Sequence, residues 1–256
     1  MYLIDAKDAE EYLSNPVDGR ALNGGKLFLI EPPEDTELQP EDARWTKWKK
    51  LNKKYFENIL AKENKSKIVI DVGVGGAPYE ILHKFDKVIG IDFYPYRNAV
   101  IISDLNSKLP FKNNSCDIIF MSNVLEHISN PNLLLSECNR ILRDGGLLIA
   151  AVPFLVSVHR PPYDFHRYTN FMLQKLLRDA GFSEIKVEAL GSPLHLYETL
   201  QRQFFSLLPK NFPSFLWKKI SFILFSFFKR FFQDLPPGDH YVQGYGFSGR
   251  KELNFR

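Results

Sequence analysis

The string Val69-Ile70-Asp71-Val72-Gly73-Val74-Gly75-Gly76-Ala77-Pro78 sets an acid and closely spaced glycines directly after an apolar run. Glycines after a buried strand let the backbone turn tightly and approach a ligand that a Cβ would exclude. Pro78 stands where the dinucleotide fingerprint needs its third glycine, which argues against that ligand class. Asp92 closes the next apolar run, about 20 residues on, where an acid can accept from both hydroxyls of a ribose. Histidines titrate near neutrality and can take protons; they stand at His127 and in the stretch from His159 to Tyr168. That stretch crowds His159, Arg160, Tyr163, Asp164, His166 and Arg167 together. Arg160 and Arg167 suit a phosphate or carboxylate, with a salt bridge to Asp164 as the ordinary alternative.

These groups need a scaffold, and residues 67–190 supply one. Short β-branched runs (KIVIDV, KVIGID, AVIIS, DIIFMS, LLIAAV, EIKVEAL) alternate with helical patterns, clearest at Pro131–Leu142 and Asn170–Ala180. Apolar runs bounded by Gly, Asp or Pro are what strands buried on both faces look like. Their alternation with helices predicts an α/β fold, a doubly wound parallel sheet with a nucleotide-binding half. Residues 1–62 form an N-terminal arm and an amphipathic helix; Trp45, Trp48, Leu51, Tyr55, Phe56 and Ile59 make its aromatic stripe. Residues 63–256 form the main domain, with a Phe-rich helical insertion at about 192–240 and a closing strand from Gly244. Within the insertion, 212–233 places Ile220, Ile223, Leu224 and Phe227 on an apolar face, and Phe222 and Phe225 toward the polar side.

Taken in order, VIDVGVGGA, IGID, SDLNSKLPFKNNSCDIIFMSNVLEHISNP and ECNRILRDGGLLIAAVP, followed by PPYDFHRYT and LQKLLRDAGF, make a specific series. From Ile68 to about Leu190 the chain resembles a class I S-adenosylmethionine-dependent methyltransferase of the small-molecule branch, methyltransferase type 11-like. The resemblance implies a Rossmann-like sheet of seven strands, mostly parallel, with an antiparallel last strand. It implies S-adenosylmethionine as cofactor, with Asp71 on its ammonium side and the turn Gly73–Gly75 under its methionine part. Asp92 would hold the ribose, Asp104 with Leu105 beside it the adenine, and Ser122 and Asn123 would line the methyl-transfer end. Some relatives that methylate quinone-type phenols hold a metal with an acid at the position of Asn123; an amide is a poorer ligand, so no metal is expected.

Methyl transfer to a hydroxyl needs a proton acceptor near the ends of strands four and five. The candidates are His127, His166 and Asp164, with His159, Arg160, Tyr163 and Arg167 binding the acceptor. The expected acceptor is a small or lipid-linked molecule, methylated at oxygen. A non-catalytic, cofactor-binding or membrane-associated scaffold is the alternative. The Asp/Asn-Pro-Pro-aromatic string of base methyltransferases is absent after strand four, and Lys+Arg 33 against Asp+Glu 30 leaves only +3, so no nucleic-acid partner is expected. Cys116 and Cys138 read as small apolar side chains suited to a reducing compartment, and Asp117 as a turn partner. The N-terminus shows no signal peptide and no run reaches the length of a spanning helix. A cytoplasmic protein is expected, with 212–233 touching the inner membrane face through its aromatic side and Lys218, Lys219, Lys229 and Arg230.

Overall fold

The apolar runs form the strands of one sheet in a computed structural model of the chain, which describes residues 6–14, 22–23, 25–31, 46–76, 79–207, 219–225, 227 and 241–253. In chain order the strands are β1 (Leu22–Asn23), β2 (Lys26–Phe28), β3 (Ile68–Val72), β4 (Lys87–Asp92) and β5 (Ile101–Ile102). Then come β6 (Cys116–Ser122), β7 (Leu142–Pro153), β8 (Phe182–Leu190) and β9 (Gly244–Lys251). The sheet order is β1-β2-β5-β4-β3-β6-β7-β9-β8. From β2 to β7 neighbours run parallel, and β9 lies antiparallel between β7 and β8. The expected seven strands are all present. Two more, β1 and β2, form a hairpin that extends the β5 edge, with Leu27 opposite Ile101.

Alternation along each strand feeds two cores. Ile68, Ile70 and Val72 face one side with Leu134, Leu135 and Cys138 of α3 (Pro131–Ile141) and Leu173, Leu176 and Leu177 of α4 (Asn170–Asp179). Val69 faces the other side with Tyr55, Phe56 and Leu60 of α2 (Lys47–Leu60). The amphipathic helix therefore belongs to the same core as the sheet. Thr46 caps it, its side chain accepting from Lys49 N at 3.2 Å. A short helix, α1 (Ala6–Ala9), precedes it, and α5 (Pro193–Leu207) follows β8.

The turn after β3 leads to a 3-10 helix at Glu80–Lys84 rather than a long α-helix. With β4 beginning at Lys87, the chain has room for only that short segment. Gly73 has φ +73°, and an ideal Cβ there would come 2.3 Å from Val124 Cγ2. Valine has a stiff χ1 and cannot swing away. Left-handed strain of about 1–2 kcal/mol and overpacking of about 1–3 kcal/mol should make Gly73→Ala about 2–5 kcal/mol less stable, read as a lower urea midpoint at unchanged slope.

Of the Phe-rich insertion at about 192–240, residues 192–207, 219–225 and 227 lie among the described residues; the remainder of it and most of 1–40 lie outside them. Phe225, placed toward the polar side by its helical angle, is the buried one, its ring stacked on Tyr197 of α5 at 4.7 Å. Ile220, Ile223, Leu224 and Phe227, from the apolar face, are exposed. A contact with α5 thus sets the inward side of this helix, contrary to the pattern-based orientation.

Candidate active site at the carboxyl ends of the parallel strands

Asp71 near the end of β3, Asp92 at the end of β4 and Asp104 just beyond β5 come from three neighbouring strands, at the edge where open α/β sheets bind ligands. Asp92 is buried; its Oδ2 accepts from Gly75 N at 2.9 Å and its Oδ1 from Tyr94 N at 2.9 Å. Burial raises its carboxyl above the usual range, and the Gly75 and Tyr94 N–H groups oppose that shift. Each carboxylate oxygen keeps a further lone pair for a ligand. Asp71 is also buried. Asp104 is engaged in its own turn, Oδ1 accepting from Asn106 N at 2.9 Å and Oδ2 from Ser107 Oγ at 3.0 Å. Leu105 is buried in the core.

Gly75 (φ +62°) differs from Gly73 in what surrounds it. An ideal Cβ there meets no heavy atom within 4 Å among the described residues. Among the described residues, the turn at Gly75 has no side chain packed against it.

Beyond β6, Asn123 (φ +56°) is fixed from outside the sheet. Its Oδ1 accepts from Trp48 Nε1 of α2 at 2.7 Å, and its Nδ2 donates to Ser122 Oγ at 3.2 Å. Ser122 Oγ in turn donates to Tyr79 OH at 2.9 Å. Trp48 and Tyr79 were not singled out from sequence; an aromatic stripe gave no sign that one indole would reach a residue 75 positions away.

Past this point Glu126 and His127 lie in a 3-10 turn, Leu125–His127, facing the segment after β7. His127 Nδ1 lies 2.7 Å from Tyr163 O and its Nε2 lies 3.7 Å from Glu126 Oε1. Burial lowers its pKa below the ordinary histidine value, against the pull of Glu126. His159 Nε2 lies 3.7 Å from the same Glu126 Oε1, and its Nδ1 3.2 Å from Ser157 O. The Glu126 carboxylate raises its pKa. Glu126 itself is fully buried, and neither carboxylate oxygen has a hydrogen-bond partner within 3.5 Å among the described residues. Sequence reading passed over it. The signal was an acid held between Leu125 and His127.

Asp164 and Arg167 adopt the salt-bridge alternative, with Arg167 Nη1 2.6 Å from Oδ1 and Nη2 2.7 Å from Oδ2. That guanidinium lowers the Asp164 pKa to about 2, so at neutral pH this carboxylate is an anchor for the segment, and its other bond is from His159 N at 2.9 Å. Arg160 Nη2 donates to Tyr96 OH at 2.9 Å. Tyr163 is half exposed. His166 has a buried Nε2 with no partner among the described residues. It lines a cavity of about 470 Å³ between the segment after β7 and α5, whose walls include Phe154, Val156, Val158, Leu196 and Leu200. The structure therefore brings Glu126, His127, His159, Asp164 and Arg167 together. Asp71, Gly75 and Asp92 lie at the neighbouring strand ends.

Cys116 and Cys138 are buried and free; burial pushes both thiols up, Cys138 to about 12, which suits neither to nucleophilic work. Asp117 holds the start of β3, accepting from Ile68 N at 2.8 Å, and pairs with Arg143 at 3.0 Å.

The sheet order and the acids at the carboxyl ends of β3 and β4 are those expected of a methyltransferase-type domain. Residues 70–150 match the family model described as a methyltransferase domain. Over that stretch the chain is similar to a methyltransferase domain, and its fold is shared with S-adenosylmethionine-dependent methyltransferases. It is similar to an uncharacterized protein of Methanocaldococcus jannaschii, 27% identical over 135 residues, covering 46% of this chain and 65% of that one. It is also similar to malonyl-acyl-carrier-protein O-methyltransferase 1 of Coxiella burnetii, 30% identical over 117 residues and 40% of each chain. The chain thus spans less than two thirds of the length of either curated relative. Among solved structures, the 4+2 cyclase SpnF aligns at TM-score 0.55 and 16% identity, over 84% of this chain and 86% of that one. A SAM-dependent methyltransferase from Archaeoglobus fulgidus aligns at 0.50 and 18%, over 79% and 94%. Those likenesses concern the fold. The cofactor fits what is observed: a glycine turn open at Gly75 and a buried acid with spare lone pairs at Asp92.

Proposed function

We propose that the protein transfers a methyl group from S-adenosylmethionine to a hydroxyl oxygen of a small or lipid-linked acceptor held in the 470 Å³ cavity. The observation that carries this reading is His166, which stands on the wall of a mainly apolar cavity and whose buried Nε2 has no hydrogen-bond partner among the described residues. When bound, the cofactor supplies an electrophilic methyl on a positively charged sulfur. Asp71 and the turn Gly73–Gly75 would hold its amino-acid end and Asp92 its ribose hydroxyls. Asp104, engaged in its own turn, and Leu105 border the side where adenine would lie. Asn123, fixed by Trp48, would line the methyl end. His166 would take the proton that the acceptor hydroxyl releases as its oxygen gains the methyl. Arg160 and Tyr163, in the same segment after β7, would meet a polar or anionic part of the acceptor, while Asp164 and Arg167 hold the segment in shape.

Two observations support an oxygen acceptor with an apolar body. One curated relative is named an O-methyltransferase. The cavity wall is mainly apolar, and Leu200 and Phe204 of α5 and Ile223 and Phe227 of the insertion are exposed nearby in sequence. No helix among the described residues is long and apolar enough to cross a membrane, so contact with a lipid surface would be peripheral.

A labelled-methyl assay on separated aqueous and lipid extracts tests the reading. Label entering an alkali-stable, ether-type product in either extract supports it, and an alkali-labile methyl ester would move the acceptor from a hydroxyl to a carboxylate. Cofactor binding with no label transferred to any fraction would favour the scaffold alternative. Binding to anionic vesicles at low salt should accompany a lipid acceptor, and a protein that stays wholly in the supernatant would remove the membrane part.

A further inference from the structure

Glu126 is the least expected group in the molecule: a fully buried carboxylate with neither oxygen hydrogen-bonded within 3.5 Å among the described residues. An uncompensated buried charge is strongly unfavourable, and such groups are normally paired or bound to a cation. Two imidazoles reach it from different segments, His127 and His159, each with Nε2 at 3.7 Å from Oε1. Both rings are oriented from behind: Nδ1 of His127 lies 2.7 Å from Tyr163 O, and Nδ1 of His159 lies 3.2 Å from Ser157 O. A backbone carbonyl on Nδ1 fixes the proton there and leaves the Nε2 lone pair for a ligand. Asp164 adds to this support, with its Oδ2 at 3.5 Å from His159 Nδ1.

We infer that Glu126, His127 and His159 form a binding site for a divalent transition-metal ion. One ligand atom from each lies within 4.8 Å of the others. Ligands about 2.0–2.2 Å from a shared ion sit some 3–3.5 Å apart, so small side-chain adjustments close the set. Two imidazoles with one carboxylate favour Zn²⁺, Mn²⁺ or Fe²⁺ over Mg²⁺ or Ca²⁺, which prefer all-oxygen sites. A plain ion pair of His159 with Glu126 is the competing account. It leaves Oε2 without a partner and gives His127 no reason to point at the same oxygen.

The inference departs from the sequence expectation of no metal, which rested on Asn123 replacing an acid. Asn123 is committed to Trp48, and the third ligand comes from the segment after β7. Three protein ligands leave open positions. On the methyl-transfer reading, and only there, the ion would bind the acceptor oxygen and ease loss of its proton. His159 N donates to Asp164, and Glu126 O accepts from His166 N at 3.2 Å; Asp164 and His166 both line the cavity, so the site adjoins it.

The test uses tag-free full-length protein stripped with EDTA and dialysed, titrated with MnCl₂ and ZnCl₂ by calorimetry and, for Mn²⁺, by paramagnetic resonance. One ion per chain is expected, with a raised Tm. Glu126→Gln and His159→Asn should abolish that stoichiometric site, and Asp164→Asn should weaken it roughly 10–100-fold. Without metal, Glu126→Gln should be no less stable than the unaltered protein, because it removes the unpaired charge. Binding of S-adenosylhomocysteine is measured on every variant and should be retained. Unaltered protein that binds no ion, or variants that bind it equally, would overturn the site. Loss of homocysteine-nucleoside binding in the unaltered protein would instead sink the methyl-transfer reading and leave the metal result standing.

Discussion

Replacing His166 by Asn should lower turnover by roughly 10²–10⁴-fold while leaving cofactor affinity unchanged, the range for removing a positioned proton acceptor. The imidazole lines the cavity proposed to hold the acceptor, and its buried Nε2 has no partner among the described residues. Its backbone is held independently, N donating to Glu126 O at 3.2 Å and O accepting from Arg167 at 2.8 Å. An Asn side chain should therefore leave the segment in place. Single-turnover kinetics with labelled cofactor separate the chemical step from binding. A variant with unchanged turnover would show that another group takes the proton, or that the acceptor arrives already ionised.

Asp92→Ala should weaken cofactor binding by about 1.5–3 kcal/mol, the scale for hydrogen bonds to a charged acceptor, which is roughly 10- to 150-fold in Kd. Two effects act together. The ribose would lose its acceptor, and Gly75 N and Tyr94 N would lose the carboxylate that holds the glycine turn and the β4 end in position. Asp104→Ala provides the contrast. Its carboxylate is occupied by Asn106 and Ser107, so its removal should disturb a turn more than a ligand. Calorimetry with S-adenosylhomocysteine reads both, and equal losses would contradict this ranking.

The sheet was legible because strands buried on both faces leave an unmistakable pattern: Ile68–Val72 has no exposed position, and none can be polar without a partner. The β1–β2 hairpin was not legible. Its strands are two and three residues long, too short for periodicity, and their pairing to β5 is a tertiary choice. After the glycines the chain forms only the short 3-10 helix Glu80–Lys84, because β4 begins at Lys87 and leaves no more room. In the site, Asp71 and Asp92 could be read because motif and strand end coincide within a short stretch. The Glu126–His127–His159 cluster could not, since β6 and β7 are brought side by side by the sheet and only that neighbourhood turns His159 toward Glu126. Asp164 and Arg167 show the opposite limit. Sequence offered a proton-acceptor reading for Asp164, an acceptor-binding one for Arg167 and a salt bridge between them, and three residues of separation in a tight segment let the pair satisfy itself.

The central claim is that the open glycine turn and the acid at the end of β4 bind a sulfonium nucleoside. Calorimetric titration of the full chain with S-adenosylmethionine, S-adenosylhomocysteine and NAD addresses it without knowledge of the acceptor. The account predicts saturable one-to-one binding of the first two, no binding of NAD, and marked weakening in Asp92→Ala. A folded protein that binds NAD in their place, or binds none of the three, would contradict it.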